Sequence, residues 1–436
     1  MSGRGEEKSE RIMASSNAFG ARNVPGRPED ADPALSRRDR PSTGRMEALR
    51  LSFIRRLLAR IDRGHLSLIM PGGTEIEIEG RSAGPSASIR LHSGRLLDRY
   101  LANGAVGFAE GYIDGDFDSP DLADLLELLD RNAVAWEKSY HGPWPARFLR
   151  FCQHWRNANT KTQAERNIHA HYDLGNDFFA AWLDPSMTYS SALFENGAVG
   201  LEAAQHAKYE HLCGMIGLDD GHRVLEIGCG WGGFAEHAAR SRDCHITCLT
   251  ISKAQFEYAR QRIEKAGLSD RVEIRYQDYR DVEGDFDRIA SIEMFEAVGE
   301  RYWPDYFGKI ASLLKPGGRA GLQIITIADQ HFETYRKTAD FIQRYIFPGG
   351  CLPSPAALRR EFAKAGLGEL SWHEFGRDYA RTLAIWNRRF QNVWDELRPL
   401  GFDERFRRIW RYYLAYCEAG FRTGSTDVIQ VSLQRA

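Results

Sequence analysis

No stretch of this 436-residue chain holds an apolar run approaching the ~20 residues a membrane-spanning helix needs. The N-terminus lacks the apolar core of a signal peptide. An excess of one charge is also missing. The chain has 58 Lys and Arg against 60 Asp and Glu, a formal net charge of −2, and gives no global case for nucleic acid. Cysteines are few and not spaced as ligand pairs. There are seven, at 152, 213, 229, 244, 248, 351 and 417, an odd number with no C-x-x-C, so reduced thiols are expected rather than a disulfide frame. Metal motifs are absent too. Asp114, Asp116 and Asp118 alternate without the EF-hand spacing or its loop glycine. His169 and His171 have no carboxylate or Cys partner at useful spacing, so hydrogen bonding is the favoured role. What remains is a cytoplasmic protein, attached to the inner membrane face at most peripherally.

The composition, 43% hydrophobic and 27% charged, is that of a globular protein, and the length suits two or three domains. Residues 1–45, rich in Ser, Gly, Pro and charge, suggest a disordered tail. Residues 46–136 suggest a small α+β domain. Leu51–Leu58 has amphipathic helical spacing, strands are expected at 64–69, 75–79 and 88–91 around a Pro71-Gly-Gly73 turn, and helices at 94–103 and 119–132. Residues 137–200 suggest a linker and a helical segment covering a cofactor. From its border onward Trp136, Trp144 and Trp155 alternate with Arg147, Arg150, Arg156 and Arg166, a pattern that favours packing over a lipid-facing surface. Residues 201–436 suggest the catalytic domain, with an insertion at 329–365 over its pocket.

The stretch Val224-Leu-Glu-Ile-Gly-Cys-Gly-Trp-Gly-Gly-Phe234 organises this last part. It reads as a buried strand, a glycine turn and a helix starting near Gly233, whose free N–H groups suit an anionic ligand group. Gly228, Gly230 and Gly232 are expected to let the backbone approach that ligand. A dinucleotide site would want G-x-G-x-x-G and an acid ending the next strand. The glycines here run G-x-G-x-G-G, and the next strand ends in Leu249-Thr-Ile-Ser252. The acid is Glu226, two residues before the first glycine. That arrangement resembles the S-adenosylmethionine (SAM) loop of Rossmann-like methyltransferases, in which this acid approaches the cationic end of the methionine moiety.

Strands at 245–251, 272–276, 287–292 and 319–327 alternate with helices near 202–216, 254–266 and 303–314, which implies a parallel α/β sheet. Asp278 follows the third strand, where an acid commonly faces adenine in this superfamily. Segments 369–375 and 428–433 suit two further strands around a helical pair. The fold class expected is therefore α/β, a class I SAM methyltransferase sheet with a helical lid and a small N-terminal α+β domain.

From His171-Tyr-Asp-Leu-Gly-Asn-Asp177 through Tyr189-Ser190, the glycine loop, Phe295-Glu296, Tyr345-Ile-Phe-Pro348 and Asp378-Tyr379, the ordered motifs resemble the cyclopropane-fatty-acyl-phospholipid synthase family and its mycolic-acid relatives. The resemblance covers about 165–436, and 46–140 resembles the N-terminal domain of the full-length bacterial enzymes. It implies methyl transfer from SAM to the cis double bond of an unsaturated phospholipid acyl chain, and a homodimer is plausible from it. A bound bicarbonate, held by a Cys, a Glu, a His, a backbone group and a Tyr, is implied as the base that removes a proton from the methylated cation. Carried over, Glu296 matches the Glu and Tyr379 the Tyr. Tyr189 and Ser190 match cofactor-loop residues, and Gly228, Gly230, Thr250 and Gln255 match positions lining SAM, with Gln255 supplying the ribose contact.

Three departures stand out. Ser191 replaces the Cys, Ala297 replaces the His of Phe-Glu-His-Val-Gly, and Gln323 replaces a His of the fifth strand. Ser191 and Gln323 can still donate hydrogen bonds to an oxyanion, but Gln cannot titrate as His does. Ring closure is the expected outcome, with a methyl- or methylene-branched chain as the alternative. A small-molecule or nucleic-acid methyltransferase is disfavoured because Glu293-Met-Phe-Glu296 stands where an Asn/Asp-Pro-Pro motif would be. A scaffold without activity is disfavoured by Glu226, the loop glycines, Glu296 and Tyr379. Basic residues beside aromatics at 335–347, 386–390 and 405–411 suit either an anionic lipid surface or an ordinary solvated helix face.

Overall fold

The computed structural model describes residues 43–133, 174–194 and 200–435. The expected tail to residue 42, the linker with its Trp–Arg alternation and the His169/His171 pair lie outside the described residues.

Helix α1 (Thr43–Leu58) leads into strands β1 (Arg63–Ile69), β2 (Glu75–Glu79) and β3 (Ser82–Leu91), helices α2 (Arg95–Asn103) and α3 (Ala105–Ile113), the two-residue strand β4 (Phe117–Asp118) and α4 (Leu122–Arg131). The sheet order is β2-β1-β3-β4. The Pro-Gly-Gly turn makes β1 and β2 antiparallel, as its turn chemistry predicts. Strand β3 begins six residues before the expected Ser88, because its polar first half pairs parallel to β1 and carries no apolar alternation to reveal it. Helix α3 was not expected. Its Gly107 and Gly111 weaken helical propensity, yet both sit where a Cβ would collide, with Arg99 O at 1.9 Å and Leu96 Cδ1 at 2.6 Å. Close helix packing thus overrides propensity. Helix α4 opens on Asp121, whose carboxylate accepts from the amides of Ala123 and Asp124.

The second sheet is built from β5 (Arg223–Ile227), β6 (His245–Thr250), β7 (Val272–Tyr276), β8 (Phe286–Ile292), β9 (Leu314–Ile327), β10 (Leu367–Glu374) and β11 (Thr426–Arg435). Its order is β10-β11-β9-β8-β5-β6-β7. Five neighbouring strands run parallel and β11 runs antiparallel between β9 and β10. Val224 to Ile227 of β5 are all buried, as for a parallel strand covered on both faces. The chain reverses its direction of travel across the sheet between β5 and β8, which makes their carboxyl ends the topological switch point.

Helices α5 (Asn176–Ala180), α6 (Leu201–Ile216), α7 (Gly233–Ser241), α8 (Lys253–Lys265) and α9 (Trp303–Leu313) cover the sheet and its β5 end. Helices α10 (Asp329–Tyr335), α11 (Phe341–Tyr345) and α12 (Pro355–Lys364) fall in or against the 329–365 segment. Helices α13 (Gly376–Asn392), α14 (Trp394–Leu397) and α15 (Glu404–Thr423) precede the last strand. Helix α15 joins the two sheets. The Arg408 guanidinium donates to the Tyr112 and Phe117 carbonyls and to Asp118, and Arg422 pairs with Asp124 at 2.6 Å. One apolar cluster runs from Leu66 and Phe117 through Tyr412 to Trp386.

Candidate active site

Strand β5 delivers Glu226 and the glycine loop to the switch point. Gly228, Gly230 and Gly232 all have positive φ, at 83°, 52° and 83°. Their missing side chains meet different surroundings, and of the three Gly228 and Gly230 line the cavity. A Cβ on Gly228 would sit 2.6 Å from Met294 Cγ, and one on Gly232 would meet Ala259 of α8 at 3.2 Å. These two glycines permit packing. A Cβ on Gly230 meets nothing within 4 Å and would project into open space. No side chain caps α7, so its first N–H groups stay available to an anionic group.

Glu226 is 2% exposed, and burial pushes its carboxyl up to about 7, against a hydrogen bond from Cys248 and the charge of Arg262. A fixed cation is the partner such a buried acid lacks. Past β6, the Thr250 hydroxyl donates to Gln255 Oε1 at 3.0 Å and accepts from the Ser252 amide at 3.1 Å, which holds Gln255 at the cavity wall. Asp278 also lines the cavity, clamped by the Arg280 guanidinium at 2.8 and 2.6 Å. This set fits a SAM molecule: an acid for its cationic end, an uncapped helix for its carboxylate and polar groups along the adenosine side.

Across the switch point, the end of β8 brings in Glu293, which composition and motif reading had not singled out. It adopts φ 49°, a left-handed conformation that non-glycine residues rarely take. Its Oε1 accepts from the Ser191 amide at 2.7 Å and from Gln323 Nε2 at 2.7 Å. Its Oε2 accepts from the Tyr379 hydroxyl at 2.6 Å. Burial raises this carboxyl above its ordinary range, opposed by those bonds and by the charge of Lys208. Lys208, fully buried on α6, donates to the Ser190 hydroxyl at 2.5 Å. Two expectations are corrected here. Ser191 engages through its backbone, since its hydroxyl donates to the Ala192 carbonyl at 3.0 Å. Ser191 and Gln323, expected to face a bicarbonate, are both fully buried and stand behind Glu293, which itself lines the cavity. The bicarbonate implied by the resemblance does not fit this arrangement, because three groups expected to hold it are bonded to a protein carboxylate.

Glu296 sits one short turn further on. Its Oε1 accepts from the Ile325 amide at 2.6 Å, while Oε2 is buried without a hydrogen-bond partner. Burial first, and the neighbouring Glu293 charge second, push this carboxyl up to about 8. Tyr189 completes the wall, its hydroxyl 2.7 Å from that of Tyr413 and its ring 5.3 Å from Trp386.

These residues surround one cavity of ≈ 790 Å³, within the range of ~300–1,000 Å³ that ligand pockets occupy. From the glycine loop it passes Glu293, Glu296 and Tyr379 and runs on between α1, α2 and α4, where Ile54, Leu58, Leu97 and Leu126 line it. The sequence offered one sign of Glu293, an acid just past a strand end where open sheets place ligands. Nothing marked Lys208, which reads like any solvated helix residue. The basic–aromatic stretches resolve differently from one another. Trp386, Phe390 and Trp410 are core residues. Arg344 pairs with Glu110, Lys337 with Glu333 and Arg408 with Asp118. No group of His, Cys, Asp and Glu suited to a metal ion occurs among the described residues.

The chain matches the family described as mycolic acid cyclopropane synthetase over residues 159–431. It is 42% identical over 365 residues to the tuberculostearic acid methyltransferase UfaA1 of Mycobacterium tuberculosis, covering 81% of this chain and 85% of that one. It is 37% identical over 349 residues to the cyclopropane-fatty-acyl-phospholipid synthase of Escherichia coli, covering 80% and 88%. Among solved structures it superposes on the cyclopropane synthase MmaA2 from Mycobacterium tuberculosis with a TM-score of 0.59 at 31% identity, over 62% of this chain and 98% of that one. The mycolic acid cyclopropane synthase CmaA1 complexed with SAH and CTAB gives the same values.

Proposed function

Because the chain belongs to the mycolic acid cyclopropane synthetase family, and is thereby a SAM-dependent methyltransferase, we propose that it adds the SAM methyl carbon to the cis double bond of an unsaturated phospholipid acyl chain. The observation that carries this reading is the continuity of the cavity. One end has the glycine loop and Glu226, and the other is an apolar channel, with Glu293 and Glu296 between them. An alkene is a poor nucleophile, so it must be held in line with the sulfonium in a dry pocket. The apolar channel supplies that exclusion of water, and the carboxyls of Glu293 and Glu296 line the cavity where the cation would form.

Deprotonation of that cation decides the product. The resemblance supports a cyclopropane ring formed with bicarbonate as base. A second reading, a methylene- or methyl-branched chain, is favoured by Glu293 standing among the donors of the expected bicarbonate site. The relative named as a tuberculostearic acid methyltransferase lends it support.

We place the phospholipid at a membrane surface. Among the described residues no helix is long and apolar enough to cross a membrane. Helix α1 exposes Met46, Leu49 and Phe53, which share one face with the exposed Arg45 and Arg56. Leu57 and Leu58 of the same helix line the cavity, so an acyl chain drawn from an anionic bilayer would pass from that stripe inward. The reading is tested by expressing the chain in a host without such an enzyme and measuring its lipids by mass spectrometry. A gain of one CH₂ per unsaturated chain supports it, with NMR separating ring from branch. Unaltered lipids from cells holding SAM-binding protein would overturn it.

A further inference from the structure

We propose that Glu293 is the base of this site: its carboxylate takes the place for which the resemblance implies a bicarbonate, so that turnover needs no bound anion. The inference rests on the methyl transfer proposed above for its chemistry, and on geometry alone for the occupancy of the site.

Three contacts carry it. Ser191, Gln323 and Tyr379 stand at positions the resemblance assigns to bicarbonate, and all three donate to the two oxygens of Glu293 at 2.6–2.7 Å. A carboxylate has the planar shape and charge of bicarbonate, so the donors are satisfied without an added ion. A second anion would find those donors engaged. It would also lie beside the Glu293 carboxylate, a like-charge encounter in a buried site. Lys208 and Glu293 attract each other, while burial draws the ammonium down to about 7. The left-handed backbone at Glu293 points the same way. Glycine takes φ 49° without strain, whereas an acid there is held by its surroundings. Ser191 and Gln323 do not line the cavity, so Glu293 presents their donor set to a substrate.

The step balances. The alkene π pair forms the bond to the methyl carbon while the C–S bond breaks and sulfur keeps its electron pair, which leaves a cation on the other alkene carbon. Glu293 then takes a proton from the new methyl group. If the C–H pair closes onto the cation, a cyclopropane forms. If a 1,2-hydride shift first moves the cation to the methylated carbon, the same C–H pair forms a double bond between that carbon and the former methyl carbon, and a methylene branch results. Either route leaves Glu293 protonated until solvent exchange.

The test uses the full chain freed of CO₂ and bicarbonate. Turnover of wild type on unsaturated phospholipid vesicles is expected to change less than twofold when bicarbonate is restored. A wild type that stops without bicarbonate and restarts with it overturns the proposal. Glu293→Gln is expected to lose turnover by about 10²-fold or more while SAM affinity stays within about threefold, the size of effect expected for a lost general base. Retained turnover in Glu293→Gln overturns it. ¹³C-bicarbonate NMR on wild type gives a readout that needs no turnover. No site-specific binding at millimolar bicarbonate supports the proposal, and binding at the Ser191–Gln323–Tyr379 donors overturns it. Should no lipid be methylated at all, the proposed function fails, while the NMR still decides which carboxylate or anion those donors hold.

Discussion

Gln430 on β11 donates to Gln323 Oε1 on β9 at 2.9 Å, and this bond decides which end of the Gln323 amide faces Glu293. The two residues are directly paired across the antiparallel β9–β11 ladder. With its oxygen engaged, Gln323 presents Nε2 to the carboxylate. Gln430 in turn is held by the Lys208 carbonyl and by His211. A strand remote from the glycine loop thus orients a donor at the chemistry.

Gln430→Leu removes that anchor and leaves Gln323 free to rotate. Turnover should fall about tenfold, equivalent to about 1.4 kcal/mol, with SAM affinity unchanged. Gln430→Glu, which can only accept, should be worse than Leu. Steady-state rates beside SAM titrations check both, and an unchanged rate would remove Gln430 from the positioning network.

Glu296→Gln should keep SAM binding and lose most turnover, because Glu296 lines the cavity beside Glu293 and its Oε2 is buried without a partner. The neutral amide should also relieve the burial penalty, so its melting temperature should rise at pH 8. Calorimetry with a single-turnover assay separates the two effects.

The loop glycines should respond differently to alanine. Gly228→Ala drives a Cβ to 2.6 Å from Met294, the neighbour of Glu293, and should destabilise the fold by about 1–3 kcal/mol. Gly230→Ala adds about 1–2 kcal/mol of left-handed strain and fills open space at the cavity, so its principal loss should be in SAM affinity. Denaturant melts and equilibrium dialysis of SAM distinguish them.

Glu226 makes SAM binding depend on pH. Its folded pKa of about 7 stands above the ordinary 4.5, so the neutral acid stabilises the empty protein fully below pH 4.5, and that contribution is lost as pH rises through 7. The methionine moiety of SAM is cationic at the end this acid would meet and prefers the ionised acid. SAM affinity should therefore increase between pH 6 and 8, with proton release on binding at the lower pH, and Glu226→Gln should flatten the profile. Calorimetric titration in buffers of different ionisation enthalpy measures both.

Leu49→Asp and Phe53→Asp replace exposed residues of α1, so stability should change by no more than about 0.5 kcal/mol. Sedimentation with phosphatidylglycerol vesicles should drop severalfold for each. Sedimentation equal to that of wild type would remove α1 from the membrane contact.

Much of the fold could be read from local pattern. The strand Val272–Tyr276 was located to the residue and the helix start near Gly233, the first by its alternating β-branched and aromatic residues and the second by its glycine turn. Glu226, Gly230, Thr250, Gln255 and Glu296, each picked out by its own short motif, all line the cavity. Helix α3 and the polar half of β3 escaped because their stabilising partners are distant in the chain.

By itself, then, the sequence determined an alternating α/β order, a SAM-type glycine turn and a resemblance to enzymes of lipid methylation, all carried by contiguous residues whose local geometry admits few conformations. Only the tertiary structure shows which groups stand around the positions of the missing Cys and His. Ser191, Glu293, Gln323 and Tyr379 come from four separate segments, and only the closing of the sheet brings them within hydrogen-bond distance. The same closure sets Gly228 against Met294 and Gly232 against Ala259, and leaves the Cβ position of Gly230 open. Hydrogen bonds and van der Waals contacts act over a few ångströms, so which residues share them depends on the folded chain and not on their spacing along it.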